Sequence, residues 1–309
     1  FKNLFYCFIM LLTKLFSLLM DRSPRQLYQY VRLKLKKKTR LNYGDPDLLK
    51  KFDEKRPCVF VLSTGRTGTH TLARLLNLVD NVFAYHEPSP QLTGISKLSY
   101  EHSDNDLAAE VILEAFFSLR MELLTDALSF EKGYIETSPE GSFLAPIILK
   151  AVPNVKFIHV VRDPRYVVRS AMRRNWYSGN PDDRNRIICR TKSPMGENWE
   201  TLDSFQKNVW LWAETNRWIC DFTSSLPQNR KLLIRSEDIF NTRDEEMDKL
   251  FSFLGSSLPP HRKISSIIGK KLNRQESGSF PEVADWSDCM HTHMRKIAGG
   301  MAEGFGYKV

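Results

Sequence analysis

The sequence predicts an α/β fold, a three-layer sandwich in which a central parallel sheet of about five strands carries helices on both faces. Short, continuously apolar runs are typical of strands buried on both faces. They alternate with longer segments whose apolar residues recur at helical spacing. Because such an alternation builds βαβ units, the sheet should be parallel. The predicted strands are 58–62, 82–85, 134–135, 155–161 and 231–234.

Helical segments follow most of these strands. After the first strand, Leu72, Leu75, Leu76 and Val79 recur at the spacing of one helix face. From residue 270 the chain is rich in glycine, serine and charge, which predicts a loop that ends in a short helix. The other predicted helices are 106–130, 164–175, 205–222 and 247–254.

The formal net charge of +9 arises from the N-terminal tail. Of the 45 basic and 36 acidic residues in the 309-residue chain, ten basic and one acidic lie in 1–40, which leaves 35 of each sign in 41–309. The balanced remainder argues against a nucleic-acid-binding domain, so we expect no nucleic-acid partner. Apolar residues make up 42% of the chain, which predicts a packed core and excludes a disordered protein.

The tail divides into an apolar segment and a basic one. Residues 4–20 read LFYCFIMLLTKLFSLLM, with Lys14 as the single charge, and lie at the short end of the length of a bilayer span. We interpret residues 1–20 as a single hydrophobic membrane anchor; the alternative is a buried helix. Residues 21–54 then form a basic juxtamembrane linker, and 55–309 form the globular domain.

Three features bear on the compartment. The basic run 32–40 follows the apolar segment, and the positive-inside rule favours a cytoplasmic position for what comes after it. Five cysteines without a C-x-x-C pair argue against a disulfide framework. The chain also has no N-x-S/T sequon. We therefore expect a membrane-associated protein on the cytoplasmic face, with the Golgi lumen as the alternative in a eukaryote; the oligomeric state is not predicted.

The first strand leads into a loop with the composition of an anion site. Residues 63–71 read STGRTGTHT and run into a helix. Glycines permit a tight turn, while backbone amides and a helix N-terminus attract an anion. The Walker A pattern is not matched, because no lysine follows the second glycine. An ordinary Gly–Thr turn is the alternative to a P-loop-like site formed by Gly65, Arg66, Thr67, Gly68, Thr69, His70 and Thr71.

A second candidate element reads VVRDPRYVVRS over 160–170. A buried strand delivers Arg162 at its carboxyl end, where open α/β sheets bind ligands. Ser170 follows in the next helix, and an arginine and a hydroxyl so placed can clamp one phosphate. The alternative is a surface helix in which Arg162 caps a neighbour.

Together, the two elements closely resemble the sulfotransferase family. That resemblance implies that the first loop holds the 5′-phosphosulfate of 3′-phosphoadenosine 5′-phosphosulfate (PAPS), while Arg162 and Ser170 hold its 3′-phosphate. Residues 235–238, RSED, are similar to the family's "RYEDL" segment. Residues 270–274, with Gly278 and Trp286 after them, are similar to its cofactor-covering loop, which implies a cofactor contact for Arg274. Arginine at position 66 is closer to the carbohydrate, tyrosylprotein and bacterial branches than to the cytosolic branch.

The resemblance implies transfer of a sulfuryl group from PAPS to a hydroxyl of a small-molecule or glycan acceptor. We rank a carbohydrate first, then a tyrosyl peptide or a lipid. A kinase-like P-loop phosphotransferase and a catalytically silent, membrane-tethered nucleotide-binding protein are the alternatives. We expect no metal, because the spacing of Cys289, His291 and His293 suits no standard zinc site.

Glu87 is the first candidate for the general base. It follows the second strand, and related enzymes look similar, with a glutamate in this place as base. His86 is the rival, because histidine suits proton transfer near neutral pH. Since neighbouring strand residues point to opposite faces, we expect only one of the two to face the sulfate; a structural role for both is the alternative. Residues 136–139 end the third strand and should face the same cleft.

Overall fold

A five-stranded parallel sheet, in the order β2-β3-β1-β4-β5, forms the centre of the molecule. The computed structural model describes residues 47–189, 195–241, 244–268 and 278–309. All neighbouring strands pair in parallel, so their carboxyl ends share one edge. The strands are β1 Cys58–Leu62, β2 Val82–His86, β3 Gly133–Thr137, β4 Lys156–Val161 and β5 Lys231–Arg235.

Ten α-helices lie in the described ranges. They are α1 Thr69–Leu76, α2 Thr93–Glu101, α3 Asp106–Ser129, α4 Gly141–Ala151, α5 Pro164–Met172, α6 Ser204–Ser224, α7 Ser236–Phe240, α8 Asp244–Phe253, α9 His261–Ile268 and α10 Asp288–Gly304.

The helices cover both faces of the sheet. All five residues of β1 are buried. Phe60 and Leu62 pack with apolar side chains of α3, α4 and α6 on one face. Val59 and Val61 pack with those of α1, α8 and α9 on the other. Each buried aliphatic or aromatic side chain stabilises the fold by about 1.5–3 kcal/mol. Apolar packing on both faces of the sheet therefore stabilises the core. The predicted three-layer sandwich is confirmed.

A further apolar group, which we call the α6–α10 cluster, lies beside β4. It joins Val161 and Val168 to Trp212 of α6, to Met294 of α10 and to Tyr307, which follows α10. The helix predicted as short near the end of the chain is in fact a 17-residue element. This cluster fixes the segment that begins at the carboxyl end of β4.

Four helices, α2, α4, α7 and α9, were not predicted. In addition, Leu48, Leu49 and Phe52 are buried in the core, so the packed part of the chain begins before the predicted boundary at residue 55. The predicted anchor at 1–20, the linker up to residue 46 and Arg274 lie outside the described residues. Within the described ranges, no helix has the length and apolar character needed to cross a bilayer.

Candidate functional site

A cavity of about 700 Å³ opens at the carboxyl edge of the sheet. β1 and β4 are neighbours in the sheet, so the loop after β1 and the residues after β4 meet there. Thr67 is only 1% exposed and lies beneath the lining. The structure thus brings together ten of the predicted site residues at the cavity wall: Gly65, Arg66, Gly68, Thr69, His70, Thr71, His86, Glu87, Arg162 and Ser170.

The loop after β1 has a tightly specified backbone. Gly65, Arg66 and Gly68 all have positive φ, at 73°, 59° and 83°. A Cβ added to Gly68 would lie 2.3 Å from the ring of Phe240. No side chain larger than hydrogen therefore fits at Gly68 without displacing that ring.

Three hydroxyl groups from other elements hold this loop. The Ser236 hydroxyl donates to the carbonyl of Thr67 at 2.9 Å, and the Thr137 hydroxyl donates to that of Thr69 at 3.2 Å. The amide of Ser63 donates to the Ser142 hydroxyl at 2.9 Å. The loop is consequently built before any ligand binds, as a site that must hold an anion in a fixed place requires.

The two predicted phosphate-binding elements contact each other directly. The Arg162 Nη1 donates to the carbonyl oxygen of Arg66 at 2.7 Å. The Arg66 Nε donates to the Ser170 hydroxyl at 3.0 Å. Arg66 thus joins the end of β4 and the last turn of α5 to the loop after β1.

Three guanidinium groups lie close together at this end of the cavity. Burial, and then the positive charges of Arg174 and Arg162, lower the pKa of Arg66 to about 10, while Glu87 opposes the shift. Arg66 is still charged at neutral pH. The Arg174 Nε is buried and has no hydrogen-bond partner among the described residues. An anion bound between these groups would relieve their mutual repulsion.

The other arginines of the lining have protein partners. Arg169 pairs with Glu282. Arg173 donates to the carbonyl of Gly278 at 3.0 Å. The Arg186 Nε lies 3.0 Å from Asp183, and its guanidinium lies 3.9 Å from the ring centroid of Trp176. Their positive charges are therefore partly compensated by protein groups of the cavity wall.

Glu87 and His86 both line the cavity, although a regular strand would direct neighbouring side chains to opposite faces. Glu87 comes directly after β2 and has a φ of 44°, which takes it out of the strand alternation. The His86 Nδ1 lies 2.8 Å from the Thr137 carbonyl, so we assign its proton to Nδ1. The His86 Nε2 then faces the Glu87 carboxylate at 3.7 Å, and the His70 ring stacks on His86.

A buried ion pair lies behind Glu87. Arg120 and Glu136 have fully buried side chains, with the Arg120 Nε 2.7 Å from Glu136. The same guanidinium donates to the carbonyls of Pro88 and Pro90, at 3.3 and 2.5 Å. Glu136 therefore points into the core rather than toward the cleft, contrary to expectation.

Glu140 is a cavity residue that the sequence did not predict. Burial, and then the charge of Glu87, raise its pKa to about 7. The available signal was its position just after β3, at the same edge of the sheet as Glu87. The far wall combines α2 with residues around 185 and α6, and its polar members are Gln91, Thr93, Ser96, Lys97, Asn185 and Thr215.

Comparison with known proteins gives a consistent picture. A model described as "Sulfotransferase family" matches residues 57–260. The chain is similar to a sulfotransferase domain from the curacin biosynthetic pathway (17% identity, TM-score 0.49, 82% of this chain and 99% of that one). It is also similar to the sulfotransferase domain of the Synechococcus PCC 7002 olefin synthase (14% identity, TM-score 0.49, 84% of this chain and 99% of that one). A third similar structure is a mouse sulfotransferase complexed with PAP (15% identity, TM-score 0.43, 85% of this chain and 91% of that one). No curated protein matches by sequence.

Proposed function

The chain belongs to the sulfotransferase family, whose model covers about two thirds of it, and we propose that it transfers a sulfuryl group from PAPS to an acceptor hydroxyl. The observation that carries the proposal is the group formed by Arg66, Arg162 and Arg174. Among the described residues, none of the three has a carboxylate ion-pair partner. PAPS bears a 3′-phosphate and a 5′-phosphosulfate, the dense negative charge that such a group binds.

The donor fits the residues present at the two loops. We assign the 5′-phosphosulfate to the backbone amides of residues 65–71 and the N-terminus of α1, where helix dipole and amides favour an anion. The hydroxyls of Thr69 and Thr71 add donors. The 3′-phosphate is assigned to Arg162 and Ser170. Arg274, outside the described residues, is proposed as a further donor contact.

Catalysis then depends on positioning and on charge stabilisation. When bound, PAPS supplies an activated sulfuryl group for an in-line displacement. Glu87 accepts the proton of the acceptor hydroxyl as general base. His86 is the alternative base, because its Nε2 carries no proton in the assigned tautomer and lies beside Glu87 at the cavity. Arg66 stabilises the negative charge that develops on the leaving phosphate.

The polar groups on the far wall of the cavity are the reason for proposing a hydroxyl-rich acceptor. Amide, hydroxyl and ammonium groups of Gln91, Thr93, Lys97, Asn185 and Thr215 line it. Such groups donate and accept hydrogen bonds with sugar hydroxyls. We therefore propose a carbohydrate first, with a tyrosyl peptide or a lipid as alternatives.

Membrane association is a separate proposal. We propose that residues 1–20 anchor the enzyme and that the basic run 32–40 keeps the domain on the cytoplasmic face, with the Golgi lumen as the alternative. Expression of the full chain in cells, followed by fractionation and protease protection, tests this. A full chain found in the soluble fraction would contradict the anchor.

The experiment for the activity uses ³⁵S-labelled PAPS and an acceptor library, with products identified by mass spectrometry. We expect one acceptor class to become labelled. Glu87→Gln should lower kcat by about 10²–10⁴-fold while the Kd for adenosine 3′,5′-bisphosphate (PAP) stays within about twofold. Arg66→Ala should lower kcat and also weaken the binding of PAP. Glu245→Gln, on the exposed face of α8, is the matched control and should behave as wild type.

Each contrary result has a distinct meaning. Full activity of Glu87→Gln would remove Glu87 from the role of base. Phosphoryl transfer from Mg-ATP without PAPS binding would identify a kinase-like phosphotransferase. PAP binding with no sulfated product in any acceptor class would identify a silent nucleotide-binding protein.

A further inference from the structure

The peptide group between Arg162 and Asp163 is held from both sides by side chains. The Trp212 Nε1 of α6 donates to the Arg162 carbonyl oxygen at 3.0 Å. The Asp163 amide donates to the Glu237 Oε1 of α7 at 3.0 Å. Because the Arg162 side chain departs from this backbone, the two contacts fix the position from which its guanidinium reaches into the cavity.

The residues that follow α10 hold both of these side chains. The Tyr307 hydroxyl donates to the second carboxylate oxygen of Glu237, Oε2, at 2.7 Å. The Phe305 ring packs edge-on against Trp212, with centroids 6.3 Å apart. Residues 305–307 therefore contact both groups that fix the 162–163 peptide.

Tyr307 is well suited to hold a carboxylate in place. It is 4% exposed, and the Arg235 guanidinium lies 4.6 Å from its ring centroid. Burial, and then the hydrogen bond to Glu237, raise the pKa of Tyr307 well above its usual range, so the hydroxyl remains a donor. With one carboxylate oxygen bonded to Tyr307, the other is directed at the Asp163 amide.

We propose that Tyr307 is a positioning residue for donor binding. Through Glu237 it orients the 162–163 peptide, and thereby directs Arg162 toward the 3′-phosphate of the donor. The Arg162 Nη1 also donates to the carbonyl of Arg66, so the same chain of contacts reaches the loop after β1. This inference rests on the proposed function, because it takes a 3′-phosphorylated adenosine as the ligand.

The test compares two ligands that differ in the 3′-phosphate alone. Isothermal titration calorimetry measures the Kd of PAP and of adenosine 5′-phosphate for wild type and for Tyr307→Phe. We expect wild type to prefer PAP. Tyr307→Phe should weaken the binding of PAP by about two- to tenfold, the size of one typical intramolecular hydrogen bond, and should weaken the binding of adenosine 5′-phosphate much less.

Two further variants separate positioning from stability. Met294→Ala makes a cavity in the α6–α10 cluster without touching the clamped peptide; it should lower Tm but keep the preference for PAP. Glu237→Gln should also reduce the preference, and adding Tyr307→Phe to it should cause little further loss, since both act through one contact. If Tyr307→Phe does not fold, Glu237→Gln carries the test.

The outcomes distinguish the two proposals. A reduced PAP preference in Tyr307→Phe, with the preference kept in Met294→Ala, supports the positioning role. An unchanged preference in folded Tyr307→Phe, or an equal loss in Met294→Ala, overturns that role and leaves the proposed function standing. A wild type that does not prefer PAP over adenosine 5′-phosphate overturns both.

Discussion

Glu87 occupies its place in the cavity through a backbone conformation that is uncommon outside glycine. Its φ of 44° lies in the left-handed region. Arg120 holds the loop that follows, through the carbonyls of Pro88 and Pro90, and is itself fixed by Glu136. A buried ion pair behind the cavity therefore offsets the cost of the conformation that places Glu87 at the cavity wall.

We predict that Arg120→Met destabilises the protein by about 3–5 kcal/mol, because it leaves Glu136 charged and unpaired in the core. Urea unfolding measures this loss. Arg120→Met combined with Glu136→Gln removes the uncompensated charge, keeps an acceptor for the Tyr134 hydroxyl and should recover much of the stability. The kcat should be low in both variants, because the loop after Glu87 loses its hydrogen bonds to Arg120. A double variant with wild-type kcat would contradict this role.

His159 provides a prediction about pH. It is buried, and its Nε2 lies 2.8 Å from Asn216 Oδ1. Burial lowers its pKa to about 4, from 6.5 for the free side chain. Between these values the unfolded chain binds the proton and the folded chain does not, so the free energy of unfolding falls as pH decreases from 6.5 toward 4.

The expected loss from His159 between pH 7 and pH 5 is about 2 kcal/mol. Urea unfolding at the two pH values measures it. His159→Gln, which keeps a donor for Asn216 but does not titrate, should show a correspondingly smaller difference. Equal pH dependence in the two proteins would show that His159 is not responsible.

At the scale of the elements, the turn between β1 and α1 requires a glycine at position 68. Gly68 combines a φ of 83° with close approach to the ring of Phe240. We predict that Gly68→Ala costs at least about 1–2 kcal/mol for the left-handed backbone alone, with the steric clash in addition. The displaced loop should also bind PAP more weakly, as calorimetry can measure.

Gly94, in α2, is the matched control for this prediction. A Cβ added there meets nothing within 4 Å, and its φ is not positive. Gly94→Ala should therefore be neutral or stabilise α2 by up to about 1 kcal/mol. A Gly68→Ala protein as stable as Gly94→Ala, with unchanged PAP affinity, would refute the packing argument.

Two of the helices that the sequence pattern missed, α4 and α2, have physical reasons for being missed. α4 is buried on most sides, so its residues show no apolar stripe. In α2, Ser96 and Ser99 face inward, and their hydroxyls donate to the carbonyls of Glu140 and Phe143. A buried face built from satisfied serines has no hydrophobic period to detect. The part of the cavity wall that α2 supplies could therefore not be predicted.

For the whole molecule, the sign and place of the charge matter more than the total. The net +9 belongs to residues 1–40, whereas the cavity concentrates Arg66, Arg162 and Arg174 in a domain whose sequence is balanced. Long-range attraction of nucleic acid is therefore not expected. We expect instead that the cavity binds a small polyanion at short range.

We predict that PAP at about 100 times its Kd stabilises the protein by about 2.7 kcal/mol, which a thermal-shift assay reports as a raised Tm. The gain should shrink in Arg162→Ala and with rising salt, because added ions screen the guanidinium charges. Arg262→Ala, at an exposed position of α9, is the control and should keep the full gain. A Tm unaffected by PAP in the wild type would contradict a donor site here.

The sequence alone determined the parallel sheet and the places of its two candidate anion-binding elements. Buried strands, glycine spacing and arginines at strand ends are local signals, and each of them can be read within about ten residues. The tertiary structure decided what depends on distant contacts: the left-handed turn at Glu87, the burial of Glu136 against Arg120, and the approach of Tyr307 to Glu237. These pairings join parts of the chain that have no local pattern in common, because packing alone brings them together.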